Sequence, residues 1–122
     1  MIGRAARGGA TGRIAVRTRN ADEVTIAQYL NECGQRDVQL VDVREREEWL
    51  DGRIAGAVLI PLGDLGRRVG ELDPARPVVT VCRSGRRSLV AANALKTAGF
   101  ADVRSLAGGL VEWAAVGQPV EW

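Results

Sequence analysis

The sequence has no histidine, and Lys96 is the only lysine among its 17 basic residues. Without imidazole, Cys-His and Ser-His-Asp catalysis are excluded, and two cysteines alone cannot furnish a zinc site of the usual His/Cys kind. Neither a metal nor another cofactor is expected, and any enzyme built on this chain works without an imidazole base. Cysteine is scarce as well: Cys33 and Cys82 lie far apart, with no CxxC pair and nothing that reads as a secretory leader. Both are expected to be reduced thiols in a cytoplasmic protein. Long apolar runs are missing too. The longest, at 57–62 and 89–95, fall far short of the roughly 20 residues a bilayer demands, so no membrane span is expected. With 15 acids against the 17 bases, the formal charge of +2 points to no nucleic-acid partner.

What is present suits one compact domain: 122 residues, 46% of them hydrophobic, supply a core for one unit but not two. Residues 1–20 carry Arg4, Arg7, Arg13, Arg17 and Arg19, several glycines and no acid. This stretch is too poor in apolar residues to build core before about Ile14. A loose Arg/Gly-rich tail is expected over 1–13 and a single domain over 14–122, opening with a short strand at 14–16. Asn20 with Glu23 three residues later reads as a helix cap. Val24, Ala27, Leu30 and Cys33 then recur at helical spacing until Gly34, which puts Cys33 on a buried stripe as a small core residue rather than a resolving thiol.

Short apolar strands are expected at 39–43, 57–60, 78–81 and 103–106, and helices at 62–72, 86–98 and 110–116. Strands alternating with helices indicate an α/β domain whose mainly parallel sheet is covered on both faces. Trp49 and Trp113 are expected to fill core space, and Trp122 at the end of the sequence is open to a partner contact. The charged run 44–48 reads as the solvated start of a helix, not as an acid-base site.

The chemistry is concentrated in Val78-Val79-Thr80-Val81-Cys82-Arg83-Ser84-Gly85-Arg86-Arg87-Ser88. A buried strand ends in a cysteine, turns through a glycine loop and enters a helix. Such a junction points several backbone N–H groups at one spot. Those groups, the helix end and the charges of Arg83, Arg86 and Arg87 are expected to favour a thiolate at Cys82. The same donors suit the outer sulfur of a persulfide, and a thiolate attacks sulfur without a general base. Guanidinium groups also match the oxygens of a small anion such as thiosulfate, from which sulfite would leave.

The heptapeptide Cys82-Arg83-Ser84-Gly85-Arg86-Arg87-Ser88 resembles the active-site loop of the rhodanese family. Upstream, Leu40-Val41-Asp42-Val43-Arg44-Glu45, Glu48-Trp49, Gly52, Ile54, Gly56-Ala57 and Ile60-Pro61 resemble the family's first signature. Downstream, Gly99-Phe100, Val103, Leu106, Gly108-Gly109 and Trp113 resemble its C-terminal portion. The similarity runs over about residues 20–116. It implies a rhodanese-like α/β fold with a five-stranded parallel core, a persulfide-forming nucleophile at Cys82, a loop of amides from Arg83 to Arg87 around the sulfur, and a helix from near Ser88. Asp42 and Arg44 match positions that support the region beneath the site. Arg53 stands where the family usually has histidine, a departure expected to touch local packing and hydrogen bonding more than chemistry.

The expected activity is therefore thiosulfate sulfurtransfer, from a small anionic donor through Cys82 to a thiophilic acceptor. Cyanide, thioredoxin, glutathione or a sulfur-carrier protein would all serve. Two rivals stand beside it. Phosphatases and arsenate reductases sharing the fold place five residues between cysteine and arginine, whereas four separate Cys82 from Arg87. A non-catalytic interaction module would typically have lost the cysteine.

Overall fold

The computed structural model describes residues 22–33 and 37–122, with Cys33 described by its backbone alone. The expected tail, the strand at 14–16, the Asn20 cap, Gly34 and the packing of the Cys33 side chain lie outside these residues.

Five parallel strands form one sheet: β1 (Glu23–Val24), β2 (Gln39–Asp42), β3 (Val58–Leu59), β4 (Val78–Val81) and β5 (Val103–Leu106), in the order β1-β5-β4-β2-β3. Among the described residues, five α-helical segments accompany them: α1 (Ile26–Gln28), α2 (Arg46–Leu50), α3 (Leu65–Arg68), α4 (Arg86–Thr97) and α5 (Gly109–Ala115). The central strand β4 is buried at all four positions, as a strand covered on both faces must be. Alternate residues feed two cores. Val41, Val43, Val78, Cys82 and Val103 face α4 with Ala91, Ala92 and Leu95, while Leu40, Val79, Val81 and Leu106 meet Ile26 and Trp113 on the opposite side. Among the described residues, no helix is long and apolar enough to cross a membrane.

The expected helix at the start is corrected in register. Val24 belongs to β1, and the helix begins only after Thr25, whose hydroxyl accepts from Gln28 N–H at 3.1 Å while its own N–H donates to the Gln28 carbonyl oxygen Oε1 at 2.9 Å. This reciprocal cap turns Ile26 and Tyr29 inward, with Tyr29 edge-on to Trp113, and leaves Ala27 and Leu30 exposed. After Gln28 the chain continues as a π-helical turn, Tyr29–Cys33.

The helix expected at 62–72 is broken into a 3-10 turn (Leu62–Asp64), α3 and a second 3-10 turn (Val69–Glu71). Gly63, Gly66 and Gly70 account for this, since each glycine costs about 1 kcal/mol relative to alanine in a helix interior. Trp113 is buried as expected, whereas Trp49 is only half-buried and Trp122 is 79% exposed.

Candidate active site

Cys82 follows β4 directly, at the carboxyl end of the central strand, with only 1% of its surface accessible. The chain turns through Arg83, Ser84 and Gly85, and α4 starts at Arg86, as expected for the helix at 86–98 and two residues before the start near Ser88 that the resemblance implied. Gly85 makes the turn possible: its φ of +104° is a conformation that side-chain-bearing residues rarely adopt. The turn brings Gly85 N–H within 3.1 Å of the Cys82 sulfur and Ser88 N–H within 3.3 Å. The Ser88 hydroxyl lies 3.4 Å from the sulfur, accepting from the thiol and able to donate to a thiolate.

Burial pushes the Cys82 thiol up. The Ser88 hydroxyl and the N–H groups of Ser88, Gly85 and Ser84 outweigh it, so the thiol lies below its ordinary value. The groups that lower the thiol most are thus a hydroxyl and the backbone amides the sequence reading put first, and the arginine charges are not among the leading causes. Arg83 and Arg86 project into solvent, as does Ser84. Arg87 is turned aside into a two-pronged ion pair, its Nη1 and Nη2 each 2.8 Å from a carboxylate oxygen of Glu48.

Glu48 was therefore missed by reading 44–48 as a solvated helix start. Its carboxylate accepts from both Arg87 nitrogens and, at 3.0 Å, from Glu45 N–H. The Arg87 hydrogen bonds, against some burial and with help from Glu45 N–H and the charges of Arg87 and Arg44, lower its pKa from 4.5 to about 2. Arg44 in the same run is buried. Its Nε and Nη2 bind Asp42 at 2.9 and 2.8 Å, and further N–H groups reach the carbonyls of Glu48 at 3.2 Å and Gly52 at 2.8 Å. Asp42 and Arg44 thus fasten α2 and the Gly52 turn to the end of β2, which sets the position of Glu48 and through it Arg87.

A second clamp comes from α5. Leu110 N–H donates to the Cys82 carbonyl at 2.9 Å and Val111 N–H to that of Arg83 at 3.0 Å. The approach is so close that a Cβ on Gly109 would lie 2.4 Å from the Cys82 oxygen, and only glycine fits. Beside the loop a cleft of about 380 Å³ opens between Arg83, Glu48, Leu110, Val111 and Trp122.

Two polar residues that the sequence reading passed over lie beneath the loop. The Thr80 hydroxyl donates to the Ser88 carbonyl at 2.7 Å, and the Ser105 hydroxyl lies 2.7 Å from that of Ser88. Both are fully buried. Their signal was the strand alternation itself, which sets Thr80 in phase with Val78 and Ser105 in phase with Val103 on the face toward α4. Arg53 lies away from this group: its ring-stacked guanidinium sits 5.0 Å from the Trp49 ring centre, donates to Trp49 O at 3.2 Å and pairs with Glu121 at 3.6 Å.

Comparison with known proteins places this geometry. The model of the rhodanese-like domain matches residues 25–116. The HTH-type transcriptional regulator Rv0324 of Mycobacterium tuberculosis is 38% identical over 102 residues, which cover 82% of this chain and 45% of that protein; the chain thus spans less than half of the regulator's length. A sulfurtransferase of Allochromatium vinosum is 36% identical over 99 residues, 81% of this chain and 91% of that one. The rhodanese-related protein of Thermoplasma volcanium shares the fold with a TM-score of 0.74 at 26% identity, over 81% of this chain and 96% of that one. The motif, the five-stranded parallel sheet and these matches agree, and the chain belongs to the rhodanese-like family.

Proposed function

We propose that this chain is a sulfurtransferase in which the Cys82 thiolate takes the outer sulfur of a small anionic donor such as thiosulfate. The thiolate attacks that sulfur, a new S–S bond forms on Cys82, and the donor's S–S bond breaks with its electron pair leaving on sulfite. An acceptor then attacks the outer sulfur of the persulfide and Cys82 returns as a thiolate; cyanide would leave as thiocyanate. Proton transfer to or from a base is needed at neither step, which suits a chain without histidine.

One observation carries the reading: two backbone N–H groups and the Ser88 hydroxyl converge on a buried sulfur at 3.1–3.4 Å. Donors preorganised around a site of negative charge stabilise the anionic sulfur in each state without reorganising. The exposed arginines Arg83 and Arg86 stand ready to draw in the donor anion. Arg87, the arginine nearest to the position where a phosphatase reading would need one, is already engaged by Glu48. Thiols of the glutathione or thioredoxin kind, or a sulfur-carrier protein, are the proposed acceptors, in the reducing cytoplasm where Cys82 stays reduced.

Intact-mass measurement after incubation with thiosulfate tests the proposal. The native chain should gain one sulfur, Cys82→Ser none, and cyanide should remove the gain. A native chain that gains nothing from thiosulfate or from a persulfide donor, or that hydrolyses an aryl phosphate in a Cys82-dependent way, would overturn it.

A further inference from the structure

Ser105 lies in the middle of β5, level with Thr80 of β4 in the sheet register and fully buried. A serine hydroxyl in such a place is costly unless bonded. It makes its hydrogen bond to one partner, the Ser88 hydroxyl at 2.7 Å, and Ser88 in turn reaches the Cys82 sulfur. Three groups therefore stand in line, from β5 through α4 to the end of β4.

The protons of this line can run in two directions. With a neutral thiol, the S–H can donate to the Ser88 hydroxyl and that hydroxyl to Ser105, whose own hydroxyl makes no other hydrogen bond among the described residues. With a thiolate the order reverses: Ser105 donates to Ser88, Ser88 donates to the sulfur, and every proton in the line is satisfied. A buried donor left unpaired is costly, and donors in series polarise one another.

We propose that Ser105 is a positioning residue, which turns the Ser88 hydroxyl into a committed donor to the Cys82 thiolate. The proposal rests on the reading of Cys82 as the nucleophile and names a residue through which its reactivity is set. Ser105 touches no substrate and acts on the sulfur only through Ser88.

The charged groups around Cys82 are the exposed Arg83 and Arg86, the Arg87–Glu48 pair with Glu45 beside it, the Asp42–Arg44 pair at the end of β2, and the exposed Glu112 of α5. All are retained when a neutral serine becomes alanine, so a change in thiol titration reports the hydroxyl line.

The test is the pH profile of Cys82 alkylation by iodoacetamide, read on the Cys82 peptide by mass so that Cys33 does not interfere. Ser88→Ala should move the midpoint upward and slow the reaction at least about tenfold below neutral pH, as loss of a hydrogen bond to an anion predicts. Ser105→Ala should slow it about threefold. In the double variant the Ser105 contribution should vanish, leaving the rate of Ser88→Ala alone. A midpoint unchanged in Ser105→Ala overturns the proposal, and so does a Ser105 effect that persists undiminished without Ser88. Should the cycle hold while thiosulfate and persulfide donors leave no sulfur on Cys82, the sulfurtransferase reading fails and the positioning role stands.

Discussion

Two buried polar clusters lie beneath the same end of the sheet, and they are built from opposite materials. On the face toward α2, Asp42 and Arg44 form an ion pair whose remaining N–H groups are tied to the carbonyls of Glu48 and Gly52. On the face toward α4, Thr80, Ser88 and Ser105 form a set of neutral hydroxyls. The charged cluster is closed: its donors end on fixed backbone and on each other. The hydroxyl cluster is open at one end, and that end meets the Cys82 sulfur. A strong charge would bind the backbone firmly but fix the local field. Hydroxyls supply donors without adding a fixed charge, and the proposed chemistry, in which the sulfur is anionic both as thiolate and as persulfide, suits partners of that kind.

The comparison is broken most directly by removing one charge. Asp42→Ala leaves the Arg44 guanidinium buried without its carboxylate, a change that costs about 3–5 kcal/mol in stability. Urea unfolding should show this loss. The surviving folded fraction should still take sulfur onto Cys82, because neither Asp42 nor Arg44 bonds the sulfur. A variant as stable as the native chain would show that the ion pair does not hold α2.

Thr80→Val tests the other cluster with a side chain of nearly the same shape. It deletes one hydrogen bond, to a carbonyl in the first turn of α4, and should cost about 1 kcal/mol by the same unfolding measurement. The contrast between the two variants, several-fold in free energy, is the sharper result. Equal losses would mean that the hydroxyl cluster carries as much of the fold as the ion pair and is not specialised toward the sulfur.

The two clusters also differ in how far they can be read from sequence. Asp42 and Arg44 are two residues apart, and the family resemblance alone marks both as support. Thr80, Ser88 and Ser105 belong to three elements, and nothing local links them. Only the period-2 alternation of 78–81 and 103–106 puts two of them on the α4 face. The strands and the Cys82 loop were legible because apolar runs and the strand–glycine–helix junction are local signals. The first helix was misplaced because Asn20 with Glu23 and Thr25 with Gln28 are equally good caps on paper, and β1 claims Val24 only through pairing with β5. Glu48 was hidden for a related reason: its partner Arg87 is 39 positions away, and no spacing rule joins them.

Glu48 is where the charged side of this comparison reaches the Cys82 loop, and pH gives the smallest but most specific probe of it. Its carboxyl lies at about 2 in the folded chain against an ordinary 4.5, with the Arg87 hydrogen bonds as the main cause. A depressed carboxyl adds stability in full above 4.5, and that contribution fades as the pH falls toward 2. Both partners are about a third exposed, with side-chain accessibilities of 36% for Arg87 and 31% for Glu48, so solvent screening keeps the effect below about 1 kcal/mol. Melting curves between pH 7 and pH 3 should show Glu48→Gln losing up to a few degrees at neutral pH and converging on the native chain in acid. In the same variant Arg87 loses its anionic partner and is free to face the loop, so thiosulfate should load Cys82 at an altered rate while Ser88 and Gly85 still hold the sulfur. Melting curves that stay parallel down to pH 3 would place the ion pair at the surface of the problem, and the hydroxyl cluster alone would then govern the loop.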